Sequence, residues 1–248
     1  MRDVLRRSLR RFGYDLHRYL PVSSPDAQLQ ALLDGFAPDL VLDIGANTGQ
    51  YGALLRRLGY TGRIVSFEPL PDAHAALVAQ TAADPRWTAA PRTAIGDHDG
   101  EITINIAGNS ASSSLLAMLD SHRAAAPESA YVGTATAPIA RLDSIAPPLI
   151  GEARQVHVKI DTQGYEAQVL AGGADVIAAA ATLQIELSLT ALYAGQASHD
   201  ALLADLAARG LVLWGLWPGF AEPASGRILQ VDALLARPQR RPGTGRQP

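Results

Sequence analysis

Two stretches of the chain set polar residues at spacings that could support chemistry. In Val41-Leu42-Asp43-Ile44-Gly45-Ala46-Asn47-Thr48-Gly49-Gln50-Tyr51-Gly52 an apolar run ends in an acid, a glycine-rich turn follows, and a helix is predicted to start near Gln50. Glycine lets backbone come close to a ligand, and a helix N-terminus offers unpaired N–H groups to a carboxylate or phosphate. The glycines fall at 45, 49 and 52, which is not the Gly-x-Gly-x-x-Gly spacing of dinucleotide sites, so a nicotinamide enzyme is disfavoured. In Gln155-Val156-His157-Val158-Lys159-Ile160-Asp161 the polar residues His157, Lys159 and Asp161 alternate with apolar ones, which puts them on one face of a strand.

Each stretch has a partner nearby. Arg63 to Phe67 reads as a second strand ending in Glu68-Pro69, and a carboxylate there can accept both ribose hydroxyls of a nucleoside ligand. Charged groups on an apolar strand are costly unless paired or near its open end, so Lys159 and Asp161 are expected to reach a site together. Lys159 is the single lysine beside twenty arginines. It is read either as an ammonium that orients a hydroxyl or as half of an ion pair with Asp161 or Glu186. His157, two residues deeper, is expected to be a satisfied core histidine.

The elements that must hold these groups follow from apolar periodicity. Runs at Leu40 to Ile44, Arg63 to Phe67, Gln155 to Ile160, Leu183 to Leu187 and Leu211 to Trp217 are separated mostly by Ala-rich helical stretches. Fully apolar strands alternating with helices predict an α/β fold with a parallel sheet covered on both faces. Gly100 to Ile106 alternates apolar and polar residues after Asp97-His98-Asp99-Gly100, which predicts an added strand or hairpin. Gly108 to Ala137, rich in Ser and Ala, is expected to be a mobile cover or a loop with a short helix. Residues 1–20 carry Val4, Leu5, Leu9, Phe12, Leu16 and Tyr19 at helical spacing among arginines, a basic amphipathic helix. It is read as packing on the domain or as touching an anionic membrane surface from the inner side. A linker at Pro21 to Pro25 and a helix over Asp26 to Phe36 complete an N-terminal segment at 1–37. The main domain is expected at 38–236, and a Pro- and Arg-rich disordered tail at 237–248.

Composition narrows the function. At 248 residues with 48% apolar and 18% charged side chains, the chain suits one large domain. A net charge of −3 gives no basic face for nucleic acid. The absence of cysteine excludes disulfides and thiolate chemistry. No apolar run is long enough to span a bilayer and residues 1–20 lack the core of a signal peptide, so a cytoplasmic location is expected.

Three blocks together resemble the FkbM family of S-adenosylmethionine-dependent O-methyltransferases: Asp43 to Tyr51, Phe67-Glu68-Pro69, and Val158-Lys159-Ile160-Asp161-Thr162-Gln163-Gly164-Tyr165-Glu166 followed by Val169-Leu170-Ala171-Gly172. Ala94-Ile95-Gly96-Asp97 and Ile185-Glu186 add to the likeness, which spans roughly residues 38 to 235. The resemblance implies a Rossmann-like class I methyltransferase fold: a doubly wound, mostly parallel seven-stranded sheet with an N-terminal helical extension and a β insertion. It implies that Asp43, Gly45, Ala46, Asn47, Gly49, Gln50 and Tyr51 hold the amino-acid part of S-adenosylmethionine. Glu68 and Pro69 would hold its ribose, and Ala94, Ile95 and Asp97 would lie near its adenine. Similar proteins methylate hydroxyls, often on sugars of glycolipids, polysaccharides or macrolides, so a sugar or glycolipid acceptor is expected. The family often carries Glu where this chain has Gln163, so a charged role at that position does not carry over.

Transfer of a methyl group to oxygen is an in-line displacement that depends on alignment and on a group to accept the proton. Asp161 is the first candidate for that base and Glu186 the second, with Lys159 beside them. The two acids could instead hold Mg²⁺. Ser112 and Ser113, within the polar run Asn109 to Ser114, are read as sugar contacts or as ordinary loop, and Gln163 is added to the acceptor side. His122 is kept as an alternative base. Tyr193, Trp214 and Trp217 are read as sugar-stacking or core residues, with core favoured for both tryptophans. Competing functions are methylation of a non-sugar hydroxyl and a non-catalytic cofactor-binding module; the lack of an Asn-Pro-Pro-Tyr motif disfavours nitrogen as acceptor.

Overall fold

The computed structural model describes residues 7–14 and 18–238. The chain divides into two compact units, Met1–Ala37 and Pro38–Pro248. In the first, residues 7–10 are helical and α1 (Pro25–Phe36) starts one residue before the Asp26 at which the sequence places it. The Ser24 hydroxyl accepts the Ala27 N–H, and Pro25 and Asp26 occupy the first turn, where proline and an acid are favoured. Residues 1–6 and 15–17 of the expected basic helix lie outside the described residues.

The second unit contains a seven-stranded sheet in the order β3-β2-β1-β7-β8-β10-β9. Its strands are β1 (Leu40–Ile44), β2 (Arg63–Phe67), β3 (Trp87–Ala89), β7 (Val156–Ile160), β8 (Thr182–Ser188), β9 (Val212–Pro218) and β10 (Gln230–Ala236). The pairs β1–β2, β1–β7, β2–β3 and β7–β8 are parallel, while β10 runs antiparallel to both β8 and β9. All five residues of β1 and all five of β7 are buried. Successive residues face opposite sides, so both faces of these strands are covered, as the apolar character of β1 predicts; β7 buries His157 and Lys159 along with its apolar residues. Helix α2 (Gln50–Arg57) joins β1 to β2, α3 (Pro71–Thr81) joins β2 to β3, and α7 (Glu166–Gly172) with α8 (Ala174–Ala179) joins β7 to β8. This doubly wound sheet with one antiparallel strand is the fold the sequence implies. No helix among the described residues is long and apolar enough to cross a membrane.

The β insertion is a three-stranded sheet, β4-β6-β5, made of β4 (Ala94–Gly96), β5 (Gly100–Ala107) and β6 (Tyr131–Arg141). Residues 108–130 form the expected loop with a short helix, α4 (Asp120–Ala125), but Tyr131–Ala137 corrects that reading: it is the first part of β6, which pairs with β5 at eight positions. Ala135, Ala137 and Ile139 of β6 face the core while Thr134, Thr136 and Pro138 alternate with them, and such small apolar side chains give a weak periodic signal. α7 meets β4 so closely that a Cβ on Gly172 would overlap the Gly96 carbonyl oxygen.

Two further expectations are corrected. Trp214 is half exposed on the edge strand β9, and Trp217 is only partly buried; the buried tryptophan is Trp87, which donates to Ser66 Oγ at 3.0 Å. Arg237, assigned to the tail, donates to the carbonyls of Ile177, Ala180 and Arg209. Residues 239–248 of that expected tail lie outside the described residues.

Candidate active site

Strand order reverses between β1 and β7, the point where open parallel sheets receive ligands beyond their C-terminal ends. A cavity of about 500 Å³ lies there. Gly45 follows β1 with φ +78, and a Cβ on it would overlap the Asp161 carbonyl oxygen, so only glycine lets the ends of β1 and β7 approach this closely. The N–H groups of Gly45 and Ala46 both donate to the Phe67 carbonyl, which ties the turn to β2.

Glu68 is 5% exposed and lines the cavity. Its two oxygens accept the Asn47 and Leu70 N–H groups, each at 2.8 Å, so each retains a lone pair for a ligand hydroxyl. Burial pushes its pKa up from 4.5 to about 7 despite those two bonds. Gly45, Ala46, Asn47, Gln50, Tyr51 and Pro69 also line the cavity, as do Ala94 and Ile95 from β4. Asn47 Oδ1 is buried without a partner in the protein.

Three residues assigned to the cofactor lie elsewhere. Asp43 is fully buried beneath the turn, where it accepts Ser66 Oγ at 2.9 Å and sits 3.8 Å from Lys159 Nζ. Gly49 caps α2 with its Cα turned toward Leu77 and Trp87. Asp97 pairs with His98 at the surface.

On the other side of the cavity stand Lys159, Asp161 and Gln163. Lys159 Nζ donates to Asp161 Oδ2 at 3.1 Å and to the Gly45 carbonyl at 3.4 Å, and lies 5.6 Å over the Tyr51 ring. Burial works against its charge, but the Asp161 and Asp43 carboxylates outweigh it and raise its pKa. The ion-pair reading of Lys159 therefore holds, with Asp43 rather than Glu186 as the second acid. Gln163 Nε2 donates to Asp161 Oδ1 at 2.7 Å and to Glu186 Oε2 at 2.8 Å, while its Oε1 accepts the Tyr193 hydroxyl at 2.9 Å. Glu186 does not line the cavity; it also accepts Gln230 Nε2 at 2.6 Å, and burial followed by the Asp161 charge raises its pKa well above the usual range. The Mg²⁺ reading of Asp161 and Glu186 fails on this geometry, because an amide nitrogen sits between them. No three His, Asp or Glu side chains form a metal-binding group among the described residues.

Ser113 and Ser114 line the cavity, whereas Ser112 is buried off it with its carbonyl 3.2 Å from the Tyr193 hydroxyl. His122 is also buried away from the cavity, against Tyr193 and Phe220, which removes it as a base.

Sequence reasoning missed Gln184 and Asp232, which add to the polar wall. Gln184 pairs in register with Lys159, and Asp232 with Glu186, so sheet order brings them in rather than any motif. A buried chain fixes them. Tyr51 Oη donates to Gln184 Oε1 at 3.0 Å and lies 2.9 Å from His157 Nε2, and Gln184 Nε2 donates to Asp232 Oδ1 at 3.2 Å. One phenol proton serves one acceptor, so His157 must carry its proton on Nε2 and accept from Thr182 Oγ1, 2.8 Å from Nδ1. Burial lowers the His157 pKa to about 3, which keeps the ring neutral in that role.

Residues 43–213 match the methyltransferase FkbM domain. No curated protein sequence matches the chain. Solved structures with a similar trace include a TehB-like SAM-dependent methyltransferase from Corynebacterium glutamicum, 14% identical over 94% of each chain with a TM-score of 0.41. An rRNA methylase from Streptococcus thermophilus is 13% identical over 87% of this chain and 98% of that one, at a TM-score of 0.45. Magnesium protoporphyrin IX methyltransferase from Synechocystis, with bound SAM, is 12% identical over 86% and 78%, at a TM-score of 0.45.

Proposed function

The chain belongs to the FkbM methyltransferase family, and we propose that it transfers a methyl group from S-adenosylmethionine to a hydroxyl of a neutral sugar. One observation carries this reading: a single cavity joins a ribose-accepting carboxylate, Glu68, to a base of fixed orientation, Asp161. The site suits the donor. Glu68 has a free lone pair on each oxygen, Ala94 and Ile95 offer an apolar surface to a purine, and the buried Asn47 Oδ1 waits for a donor group.

S-adenosylmethionine supplies a methyl group on a cationic sulfur. The protein contributes position. Glu68 accepts the ribose hydroxyls, and Asp161, held by Lys159 and Gln163, faces the acceptor and takes the proton of its hydroxyl on a carboxylate oxygen. A neutral polyhydroxylated acceptor is supported by the rest of the lining: the Ser113 hydroxyl and the Asp232 carboxylate, beside the internally bonded side chains of Ser114, Gln163 and Gln184. Lys159 is committed to Asp161, Asp43 and the Gly45 carbonyl, so it offers no charge to an acidic sugar at Asp161; Arg57, the other cation of the lining, is exposed.

The test is incubation with isotope-labelled S-adenosylmethionine and a panel of neutral oligosaccharides, glycolipids and macrolide glycosides, alongside flavonoid and polyketide hydroxyls. Label on a sugar hydroxyl, abolished by Asp161→Asn, is expected. Label only on non-sugar acceptors would overturn the sugar reading, and donor binding without transfer to any acceptor would favour a non-catalytic module.

A further inference from the structure

The geometry points to Gln163 as a positioning residue whose amide does the work of a divalent cation, so that the Asp161–Glu186 pair operates without metal. Acceptor oxygens of two carboxyl groups aimed at one point repel unless something positive or hydrogen-donating lies between them, whether or not both groups are ionised. A hard cation with oxygen ligands is one solution and two N–H groups are another. Here the Gln163 Nε2 hydrogens are divided between Asp161 Oδ1 and Glu186 Oε2.

The amide cannot flip to face the acids with its oxygen. Oε1 accepts from Tyr193, whose side chain is fully buried, and flipping would turn an acceptor onto the Asp161 and Glu186 oxygens that Nε2 now donates to. The backbone is fixed as well: the Ser114 hydroxyl donates to the Gln163 carbonyl at 2.6 Å. Gln163 holds φ +53, a left-handed conformation uncommon outside glycine, asparagine and aspartate. Such strain persists only where the surroundings impose it, and it concentrates at functional sites. Both amide hydrogens of Gln163 are thus used to orient one cavity-lining carboxyl group, Asp161, against one that lies behind it, Glu186. That Asp161 is the base rests on the methyltransferase reading; the cation-replacing role of Gln163 does not.

The test is calorimetric titration of the full chain with Mn²⁺ near neutral pH, comparing wild type, Gln163→Glu and Gln163→Gly. Glu at this position supplies a third oxygen ligand, whereas Gly fits the left-handed backbone and simply removes the clamp. Wild type is expected to bind no Mn²⁺ at this pair, and both variants to gain one site, at least about tenfold tighter than any wild-type binding, that Asp161→Asn removes. Folded variants with no gain would overturn the proposal, as would a wild-type Mn²⁺ site that Asp161→Asn abolishes. S-adenosylhomocysteine is titrated in parallel: its failure to bind wild type would sink the donor assignment while leaving the Mn²⁺ comparison intact.

Discussion

Glu68 is buried, and the ribose recognition proposed for it pulls in the opposite direction. Burial raises its pKa to about 7, whereas ribose hydroxyls favour the ionised form that accepts them. Ligand-free protein binds this proton more tightly than the unfolded chain does, so its stability falls as pH rises from 4.5 to about 7. Ligand binding releases the proton. Affinity for S-adenosylhomocysteine should therefore weaken by up to about tenfold per pH unit below 7, with a buffer-dependent binding enthalpy that Glu68→Gln abolishes. A flat pH profile would refute this assignment. Lys159 gives a different expectation, because Asp43 beside it is fully buried. Lys159→Met leaves an uncompensated acid and should cost about 3 kcal/mol in denaturant unfolding. Part of that loss should return at lower pH as Asp43 protonates. His157 should show the Nε2–H tautomer by NMR, with no titration between about pH 5 and 8.

At the scale of elements, what the sequence revealed depended on how much of each signal was local. Strands β1, β2 and β7 were legible because short, mainly apolar stretches ended in turns and acids, and α1 because its apolar periodicity follows the proline-bounded linker Pro21 to Pro25. β6 was illegible because its inward residues are mostly alanine, and β10 because it is inserted between β8 and β9 out of chain order. The tryptophans misled for a related reason: size argues for burial, but Trp214 lies on an edge strand. Close contacts between elements were equally hidden. Gly172 lies within the motif Val169-Leu170-Ala171-Gly172, yet only the structure shows it against the Gly96 carbonyl. Gly172→Ala should push α7 off β4, cost about 1–3 kcal/mol, and speed hydrogen exchange in β4 and β6 while sparing β1. Uniform exchange throughout the unit would contradict that coupling.

At the scale of the whole molecule, the site is a product of strand order. The glycine turn after β1, Glu68 after β2 and Asp161 after β7 meet because these strands are neighbours at the reversal point. Those residues could be found in the sequence, since each sits in a recognisable block. Gln184 and Asp232 could not, since they enter the cavity only through the registers Lys159–Gln184 and Glu186–Asp232. Asp43, by contrast, stood in the strongest motif but supports the turn from below.

The central claim is that this cavity holds S-adenosylmethionine through Glu68. The measurement that tests it most directly is calorimetric titration of the full chain with S-adenosylhomocysteine, repeated on Glu68→Ala. One site per chain with micromolar affinity, weakened at least about tenfold in the variant, is the predicted result. No heat from folded wild-type protein, or equal affinity in both, would contradict it.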